Sequence, residues 1–482
     1  MKKNIFFFAA ALTFNFALLT FNCTAQYTKL LDFDSINGGV PEGSLISDGT
    51  FLYGMTSRGG INNEGTVFKI KPDGTGYTKL LDFDSINGLF PWGDLISDGT
   101  FLYGMTWLGG TNNMGVIFKI KPDGTGYTKL LDFNGAANGN RPFGSLISDG
   151  TFLYGMTQYG GTGSCNPFGC GTIFKIKPDG TGYIKLHDFS GTDGRGPDGS
   201  LISDGTFLYG MTSGGGTNGN GTIFKIMPNG LGFTKLLDFT GANGDNPLGT
   251  LIYDGTFLYG MTTTGGTGTC TGSNGCGVIF KIMSNGAGYV KLHDFDGDTN
   301  GGQPLWGGLI LDGTFLVGMT SGGGYYGGGV IFKIKSDGTG YSDLFDFNPT
   351  DGQGPGGSLI YDGTFFYGMT SQRGTGSFVG AGTIFKYQIA PAGIAENNMS
   401  ASFDIYPNPS HGTFQISITK NNQAIGVKEI KVFNLLGEVV WETGASANNI
   451  FTIDITVYPQ GIYYVHTIND QNEIEVKKIV KQ

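Results

Sequence analysis

Three short motifs each recur seven times along most of this chain. The first reads Asp-Gly-Thr-Phe-Leu-Tyr-Gly-Met-Thr with small variations, and its copies begin at Asp48, Asp98, Asp149, Asp204, Asp254, Asp312 and Asp362. The second is a version of FKI and the third a version of KLLDF, and both keep step with the first. A period of about fifty residues is typical of repeat architectures and has to be interpreted before any local structure. One array therefore spans Tyr27 to Tyr387.

Each repeat contains four stretches that favour β-strands, which in the first copy are GSLIS, TFLYGMT, TVFKIKP and YTKLLDF. Asp-Gly between the first two predicts a tight hairpin in which both turn residues have positive φ. Alternate residues of TFLYGMT face opposite sides of a strand, and both sides carry apolar groups. The glycine inside this strand, Gly54 in the first copy, suggests close approach of the neighbouring repeat.

An antiparallel sheet with two apolar faces needs neighbours on both sides, and copies stacked around an axis provide them. Four strands per forty to fifty residues is typical of β-propellers. The array begins with a KLLDF copy at 29–33 and ends after FKY at 385–387, so the N-terminal strand would complete the last sheet. The sequence predicts an all-β, seven-bladed β-propeller over 26–388 closed by its N-terminal strand. A parallel β-helix is the open alternative.

Both the N-terminus and the cysteines indicate export. Residues 1–25 combine two lysines, an apolar run and small residues before the cleavage point, which predicts a signal peptide. A single membrane anchor or a lipid on Cys23 stays an alternative, and no other stretch is apolar enough to span a bilayer. Cys165 with Cys170 and Cys270 with Cys276 predict two local disulfides in an exported chain. Four-thiolate zinc binding is the alternative.

The composition excludes some partners. The formal charge is -10 and no basic face is visible, so nucleic acid is not an expected partner. The chain has 88 Gly but also 38 Phe and 22 Tyr, which indicates many tight turns around a packed core rather than disorder. We expect a monomer with no transmembrane segment in the mature chain.

The wording of the repeat, DGTFLYGMTSxGG…GTIFKIxPDGTGYTKLLDF, resembles the Gloeo-Verruco family of tandem repeats in exported bacterial proteins. The resemblance covers residues 27–387. It implies no established activity and no catalytic residues.

After a linker at 389–402, alternating strand and turn residues over 403–482 predict a small β-sandwich. This segment resembles the type A C-terminal sorting domain of the type IX secretion system. The resemblance rests on FNLLGEVV at 433–440 and on Tyr406, Pro407, Asn408, Pro409, Gly412, Gly461, Tyr463, Lys477 and Lys478. It implies the type IX machinery as a partner, passage through the outer membrane, removal of the domain, and release or attachment at the cell surface. An ordinary adhesion sandwich is the alternative.

Loops that differ between copies are the predicted place for function, because function on a rigid scaffold usually lies in variable loops. These are the loops after GMT and after LDF, which share one face of the predicted propeller. The candidate ligand-binding residues at the channel mouth and on this face are Glu42, Arg58, Trp92, Trp107, Phe143, Tyr159, Asp198 and Trp306. Exposed aromatic rings there suit stacking on sugars or gripping a protein partner. Alternatively, these rings fill the channel and pad the repeats.

Chemistry beyond binding has weaker support. Asp294, Asp296 and Asp298 alternate as in calcium loops but lack the distal glutamate, so calcium is a weak candidate and no other cofactor is expected. The only acids at the channel mouth are Glu42 and Asp198, which leaves a propeller glycoside hydrolase or lyase as one alternative. A structural surface protein is the other. The favoured hypothesis is a secreted or surface-displayed, non-catalytic module that binds a glycan or a surface partner.

Overall fold

The structure is a computed structural model that describes residues 26–165, 167–270, 275–374, 381–389, 402–408, 410–420, 423–424, 427–434, 439–446, 450–469 and 474–481. The predicted signal peptide, residues 390–401 of the predicted linker and Pro409 lie outside them. The described residues form strands and turns, and none belongs to a helix that could cross a membrane. The chain contains two compact units, one within 25–389 and one within 390–482.

The first unit is built from 28 strands. They are β1 (Gln26–Asp32), β2 (Ile46–Ser47), β3 (Leu52–Thr56), β4 (Thr66–Ile70), β5 (Thr78–Asp82), β6 (Ile96–Ser97), β7 (Leu102–Thr106), β8 (Val116–Ile120), β9 (Thr128–Asp132), β10 (Ile147–Ser148), β11 (Leu153–Thr157), β12 (Thr172–Ile176), β13 (Ile184–Asp188), β14 (Ile202–Ser203), β15 (Leu208–Thr212), β16 (Thr222–Ile226), β17 (Thr234–Asp238), β18 (Ile252–Tyr253), β19 (Phe257–Thr262), β20 (Val278–Met283), β21 (Val290–Asp294), β22 (Ile310–Asp312), β23 (Phe315–Met319), β24 (Val330–Lys335), β25 (Ser342–Asp346), β26 (Ile360–Tyr361), β27 (Phe366–Thr370) and β28 (Thr383–Gln388).

These strands form repeated four-stranded antiparallel sheets. Six sheets use four consecutive strands, from β2-β3-β4-β5 to β22-β23-β24-β25. In the remaining sheet of this unit the order is β1-β28-β27-β26. Its strand β1 pairs with β28 from Gln26 opposite Gln388 to Asp32 opposite Thr383. The N-terminal strand is thus hydrogen-bonded to the last strand of the array, more than 300 residues away in sequence.

The Asp-Gly turn differs from the prediction. Gly49 has φ +87°, but Asp48 does not enter the left-handed region. Its carboxylate instead accepts hydrogen bonds from the backbone N–H of Thr50 at 2.8 Å and of Phe51 at 2.7 Å, and from the Tyr53 hydroxyl at 2.8 Å. The prediction of two positive φ values was wrong, because an aspartate side chain can itself close a turn.

The core lies between neighbouring sheets, as the alternation of TFLYGMT predicts. Leu52 packs in one cluster with Tyr367 and Met369. Tyr53 and the next residue but one, Met55, pack in another cluster with residues of the following sheet. Because the two side-chain sets of β3 enter different clusters, every residue of this strand is buried.

Glycine is required in the middle of β3 for a different reason from the one predicted. A Cβ on Gly54 would lie 2.6 Å from Cζ of Phe68, which is its cross-strand partner in the same sheet. The same contact with the phenylalanine of its own FKI motif recurs at Gly104, Gly155, Gly210, Gly260, Gly318 and Gly368. The glycine therefore makes room for a ring of its own sheet, not for the neighbouring repeat.

A second set of glycines lies in the connections that lead into the short first strand of each sheet. Neighbouring connections approach one another at these glycines. We call these the inner glycines: Gly43, Gly93, Gly144, Gly199, Gly249, Gly307 and Gly357. A Cβ on Gly144 would lie 2.2 Å from the carbonyl oxygen of Gly199, and each of the others meets the next in the same way. For the last one, Gly357, the oxygen belongs to Gly43 at 2.3 Å. Neighbouring backbones approach too closely here for any side chain.

The second unit contains two four-stranded antiparallel sheets that contribute to one apolar core. Its strands are β29 (Ser402–Tyr406), β30 (Thr413–Lys420), β31 (Gln423–Ala424), β32 (Val427–Phe433), β33 (Val439–Ser446), β34 (Ile450–Asp454), β35 (Gly461–Asn469) and β36 (Ile474–Lys481). One sheet joins β29, β30, β31 and β34, and the other has the order β33-β32-β35-β36. Phe414 and Ile416 of the first sheet are buried together with Val432 and Val465 of the second.

Candidate functional site

Five predicted site residues line one small cavity beside the inner glycines. They are Glu42, Trp92, Phe143, Asp198 and Trp306. Each lies in a connection that precedes the first strand of a sheet, which places side chains from five sheets around a common point. The cavity between them is only ≈ 20 Å³, enough for about one water molecule.

Three aromatic rings fill the space around this cavity. The ring centroids of Trp92 and Phe143 are 4.9 Å apart, those of Trp92 and Trp306 5.1 Å, and those of Phe143 and Trp306 5.5 Å. All three side chains are half-buried. The three rings pack on one another, as in the alternative in which they fill the channel, and the cavity of ≈ 20 Å³ beside them is too small for a sugar ring.

Three acids, Glu42, Asp94 and Asp198, line this cavity, and the first and last of them are buried and incompletely paired. Glu42 is 6% exposed and Asp198 5% exposed, and Glu42 Oε2 and Asp198 Oδ1 have no hydrogen-bond partner among the described residues. Burial raises the pKa of Glu42 to about 8. Burial also raises the pKa of Asp198 to about 6, against the opposing effect of Ser213, Gln158 and Arg195. Near neutral pH Glu42 is therefore mainly protonated, and Asp198 is mainly ionised.

A larger opening lies beside this cavity, and we call it the side groove. It has a volume of ≈ 270 Å³ and is lined by Gln158, Tyr159, Cys165, Pro167, Phe168, Gly169, Arg195, Gly196 and Ser213. Tyr159 and Phe168 come from the loop between β11 and β12. Arg195 precedes β14 and Ser213 follows β15, so the groove runs between two neighbouring sheets. It combines two rings with amide, hydroxyl and guanidinium groups.

The disulfide-bridged loop forms the aromatic wall of the side groove. Cys165 and Cys170 are bonded, with their Cα atoms 5.0 Å apart. The enclosed turn is fixed by a hydrogen bond from Gly169 N to Cys165 O at 2.9 Å. Phe168 is 51% exposed, and its ring centroid lies 5.7 Å from that of Tyr159. The bridged loop thus presents an apolar ring to solvent beside Tyr159.

A guanidinium group lies behind this wall. The Arg141 Cζ is 4.7 Å from the ring centroid of Trp107, 5.7 Å from that of Tyr159 and 5.6 Å from that of Phe168. Trp107 also donates from Nε1 to Gln158 Oε1 at 3.4 Å. Cation–π contacts of this kind hold the three rings and the arginine as one cluster.

The structure divides the predicted site residues into separate places. Tyr159 lines the side groove, and Trp107 supports it through Arg141 and Gln158. Arg58 lies elsewhere, exposed and stacked 4.2 Å from the Phe90 ring centroid. Sequence reasoning missed Phe168, although its place between two bridged cysteines in CNPFGC was a usable signal.

The second disulfide is also present, between Cys270 and Cys276 with Cα atoms 5.2 Å apart. The disulfide prediction is therefore confirmed for both pairs, and the zinc alternative was wrong. The sulfur atoms of each pair are bonded to each other and are not free to bind a metal ion.

The weak calcium candidate behaves as turn chemistry. Asp294 forms an ion pair with Lys291 at 2.8 Å, and Asp296 Oδ1 accepts hydrogen bonds from the N–H groups of Asp298 and Asn300. Among the residues that the structure describes, no group of three His, Cys, Asp or Glu side chains is placed to hold a metal ion.

Comparison with known families decides what the repeat is. The Gloeobacter/Verrucomicrobia repeat matches residues 17–168, 159–271 and 266–429, which together cover most of the chain.

The chain belongs to the Gloeobacter/Verrucomicrobia repeat family.

The C-terminal part of this Gloeobacter/Verrucomicrobia repeat protein matches a second family, the secretion system C-terminal sorting domain, over residues 404–482. This is the type IX sorting domain that the sequence predicted. The protein is therefore an extracellular repeat protein that is exported to the medium or the cell surface, and its two disulfides fit that environment.

Several residues of the sorting motif have structural roles in the second unit. Asn408 Oδ1 accepts a hydrogen bond from Val480 N at 2.9 Å, and the buried Tyr463 donates from its hydroxyl to Pro459 O at 2.6 Å. Gly412 has φ +116°, and a Cβ there would lie 2.8 Å from Thr456 Cα. Tyr406, which precedes Pro407, is 45% exposed. Gly461 is the first residue of β35, and Lys477 and Lys478 lie in β36.

Relatives of the Gloeobacter/Verrucomicrobia repeat protein add little about activity. An 86-residue stretch is 30% identical to ulvan lyase NLR42 of Nonlabens ulvanivorans, covering 18% of this chain and 15% of that protein. The extracellular domain of BT4673 from B. thetaiotaomicron has a TM-score of 0.48 and 12% identity, over 95% of this chain and 58% of that one. The extracellular domain of BT3049 from the same organism has a TM-score of 0.46 and 10% identity, over 94% and 57%.

Proposed function

We propose that this exported protein is a non-catalytic, monomeric glycan-binding module, and that sugar rings bind in the side groove. In this proposal residues 26–388 form a seven-bladed β-propeller closed by the N-terminal strand. The signal peptide is removed after Ala25, a linker occupies 389–402, and the sorting domain occupies 403–482.

Two contacts between the ends of the array support the closed propeller. Strand β1 supplies the fourth strand of the sheet that contains β26, β27 and β28. The last inner glycine, Gly357, meets the first, Gly43, at the distance found between all other neighbours. Closing the sheets into a ring would remove the two unpaired ends of the array, which are otherwise exposed to aggregation.

The observation that carries the binding proposal is the exposed ring of Phe168 beside Tyr159 in a groove of ≈ 270 Å³. Apolar C–H faces of sugars stack on aromatic rings, while their hydroxyl groups bind amides and hydroxyls such as those of Gln158 and Ser213. Ligand sites usually combine an apolar wall with a few polar groups in this way.

The central cavity gives less support to an enzyme. Catalytic carboxylate pairs of glycosidases must reach both sides of a sugar linkage and so need space for it. Glu42 and Asp198 border a cavity of ≈ 20 Å³ that is filled by aromatic rings. The lyase relative matches over 15% of its own length, so the match does not support transferring its activity to this chain.

Replacing both groove rings, as Tyr159→Ala with Phe168→Ala, should weaken binding to the best ligand of a polysaccharide panel by at least tenfold. Each stacking interaction is worth about 1 kcal/mol, and removing both rings together exceeds the ~1.4 kcal/mol of a tenfold change. Isothermal titration calorimetry on the full-length protein would measure this.

Ile61→Ala is the matched control, because Ile61 is 81% exposed in the corresponding loop of another repeat. It should leave the affinity unchanged. Equal binding by the double variant would place the ligand elsewhere. Absence of binding to every polysaccharide would favour a structural surface protein, and turnover of one would favour the enzyme.

A further inference from the structure

The arginines of this chain have an unusual distribution. Among 482 residues there are four, Arg58, Arg141, Arg195 and Arg373, and all lie in the variable loops after GMT or LDF. The lysines that open the KLLDF motifs behave differently, since six of them, such as Lys79 with Asp82 at 2.8 Å, pair with the motif's aspartate. Within the described ranges none of the four guanidinium groups forms an ion pair.

Arg195 borders the side groove directly. Its backbone is fixed by mutual hydrogen bonds with Gly214, from Arg195 N at 2.8 Å and from Gly214 N at 3.0 Å. A Cβ on Gly214 would lie 3.5 Å from Nε and Nη2 of Arg195, so the guanidinium lies over this glycine while the residue stays exposed. Asp198, three residues later in the chain, is 5% exposed and lines the small cavity. The Arg195 charge lowers the pKa of this carboxyl, but no ion pair joins the two described side chains, and Arg195 stays exposed at the groove.

Arg141 adds a second positive charge behind the same groove. Its guanidinium contacts the rings of Tyr159 and Phe168 from one side, and the groove lies along these rings. Arg141 does not line the groove, so a sugar stacked on these rings would have Arg195 as its guanidinium partner, while Arg141 adds positive charge next to the rings. Arginine binds carboxylates and sulfates through paired N–H groups. The formal charge of the whole chain is -10, so the positive charge of this site contrasts with the net charge of the chain.

We infer that the side groove selects an acidic polysaccharide, with Arg195 contacting a carboxylate or sulfate of the sugar that stacks on Tyr159 and Phe168. This inference rests on the proposed glycan-binding function and names its ligand class. A neutral sugar would leave the exposed guanidinium without a partner at the edge of the site.

Three polysaccharides separate the sources of the negative charge: alginate carries carboxylates, carrageenan carries sulfates and laminarin is neutral. Calorimetry on the full-length protein at low and at physiological salt should show binding to an acidic one that weakens as salt rises. Arg195→Gln should lower that affinity at least tenfold, because a charge-assisted hydrogen bond is removed. Arg58→Gln removes the same charge from an exposed arginine outside the groove and should change the affinity less than twofold.

The outcomes distinguish this inference from the function on which it rests. If laminarin binds as tightly as the acidic polymers, and the ring double variant abolishes it, the binding function stands and the acidic ligand class is wrong. If Arg195→Gln and Arg58→Gln weaken binding equally, the attraction is a diffuse charge effect and the inference fails. Absence of binding to all three polymers counts against both proposals.

Discussion

Gly357→Ala should destabilise the repeat unit about as strongly as Gly144→Ala, by about 3 kcal/mol or more. A Cβ at 357 would lie 2.3 Å from the carbonyl oxygen of Gly43, and one at 144 would lie 2.2 Å from that of Gly199. In both cases the clash is with backbone, so no side chain can rotate away. Urea denaturation followed by tryptophan fluorescence would measure the loss of stability, since Trp92 and Trp306 report on this unit.

This comparison tests the closed ring. Gly144 contacts its successor along the chain, whereas Gly357 contacts the opposite end of the array. Gly322→Ala is the control, because its φ is outside the left-handed region and the nearest atoms to a Cβ there are 3.6 Å away. If Gly357→Ala were as harmless as Gly322→Ala while Gly144→Ala unfolded the unit, the first and last repeats would not meet and the propeller would be open.

Glu42→Gln should make the repeat unit progressively more stable than the natural protein as pH rises. Burial raises the pKa of Glu42 to about 8 from an ordinary value of 4.5, so the folded chain keeps a proton that the unfolded chain releases. Between these two values the natural protein loses stability with rising pH. The glutamine variant has no such proton, and its advantage should reach about 3 to 5 kcal/mol above pH 8 and vanish below pH 4.5.

Denaturation curves from pH 4 to 9 would reveal this difference. Asp198, whose burial raises its pKa to about 6, causes a decline of the same sign between about pH 4 and 6, but it is present in both proteins and cancels in the difference. Glu64→Gln is the comparison variant: burial and the nearby Asp84 also raise the pKa of Glu64, so its advantage should have the same sign but stay smaller, because Glu64 is only half-buried. A constant stability difference across this pH range would mean that Glu42 is not held protonated by burial.

The sequence predicted the local structure well where a residue pattern has only one structural explanation. The seven-fold wording predicted the four-stranded repeats, and cysteines five and six residues apart predicted both disulfides. The prediction failed where two structural explanations fit the same residue. Gly54 looked like a contact between repeats but accommodates Phe68, and Asp48 closes its turn with a side chain instead of a positive φ.

The candidate site was predicted in part for a similar reason. The sequence placed Glu42, Trp92 and Asp198 together at the predicted channel mouth, and in the structure they line one cavity, because repeats place equivalent residues at equivalent points. The repeat pattern could not show that the rings of Trp306 and Phe143 would pack around that cavity. Nor could it show the side groove, whose ring Phe168 comes from an insertion that has a counterpart in the repeat with Cys270 and Cys276, but without a phenylalanine there.

By itself, the sequence determined the strands, the positions of the turns, the disulfide pairs and the export signal. Strand propensity, turn chemistry and the repeat period are properties of residues that are close in sequence. Only the tertiary structure decided which loops meet. The burial of Glu42 and the stacking of Arg141 on Trp107 both depend on side chains from separate loops. Such contacts depend on how far each side chain reaches across the space between sheets, which no local pattern encodes.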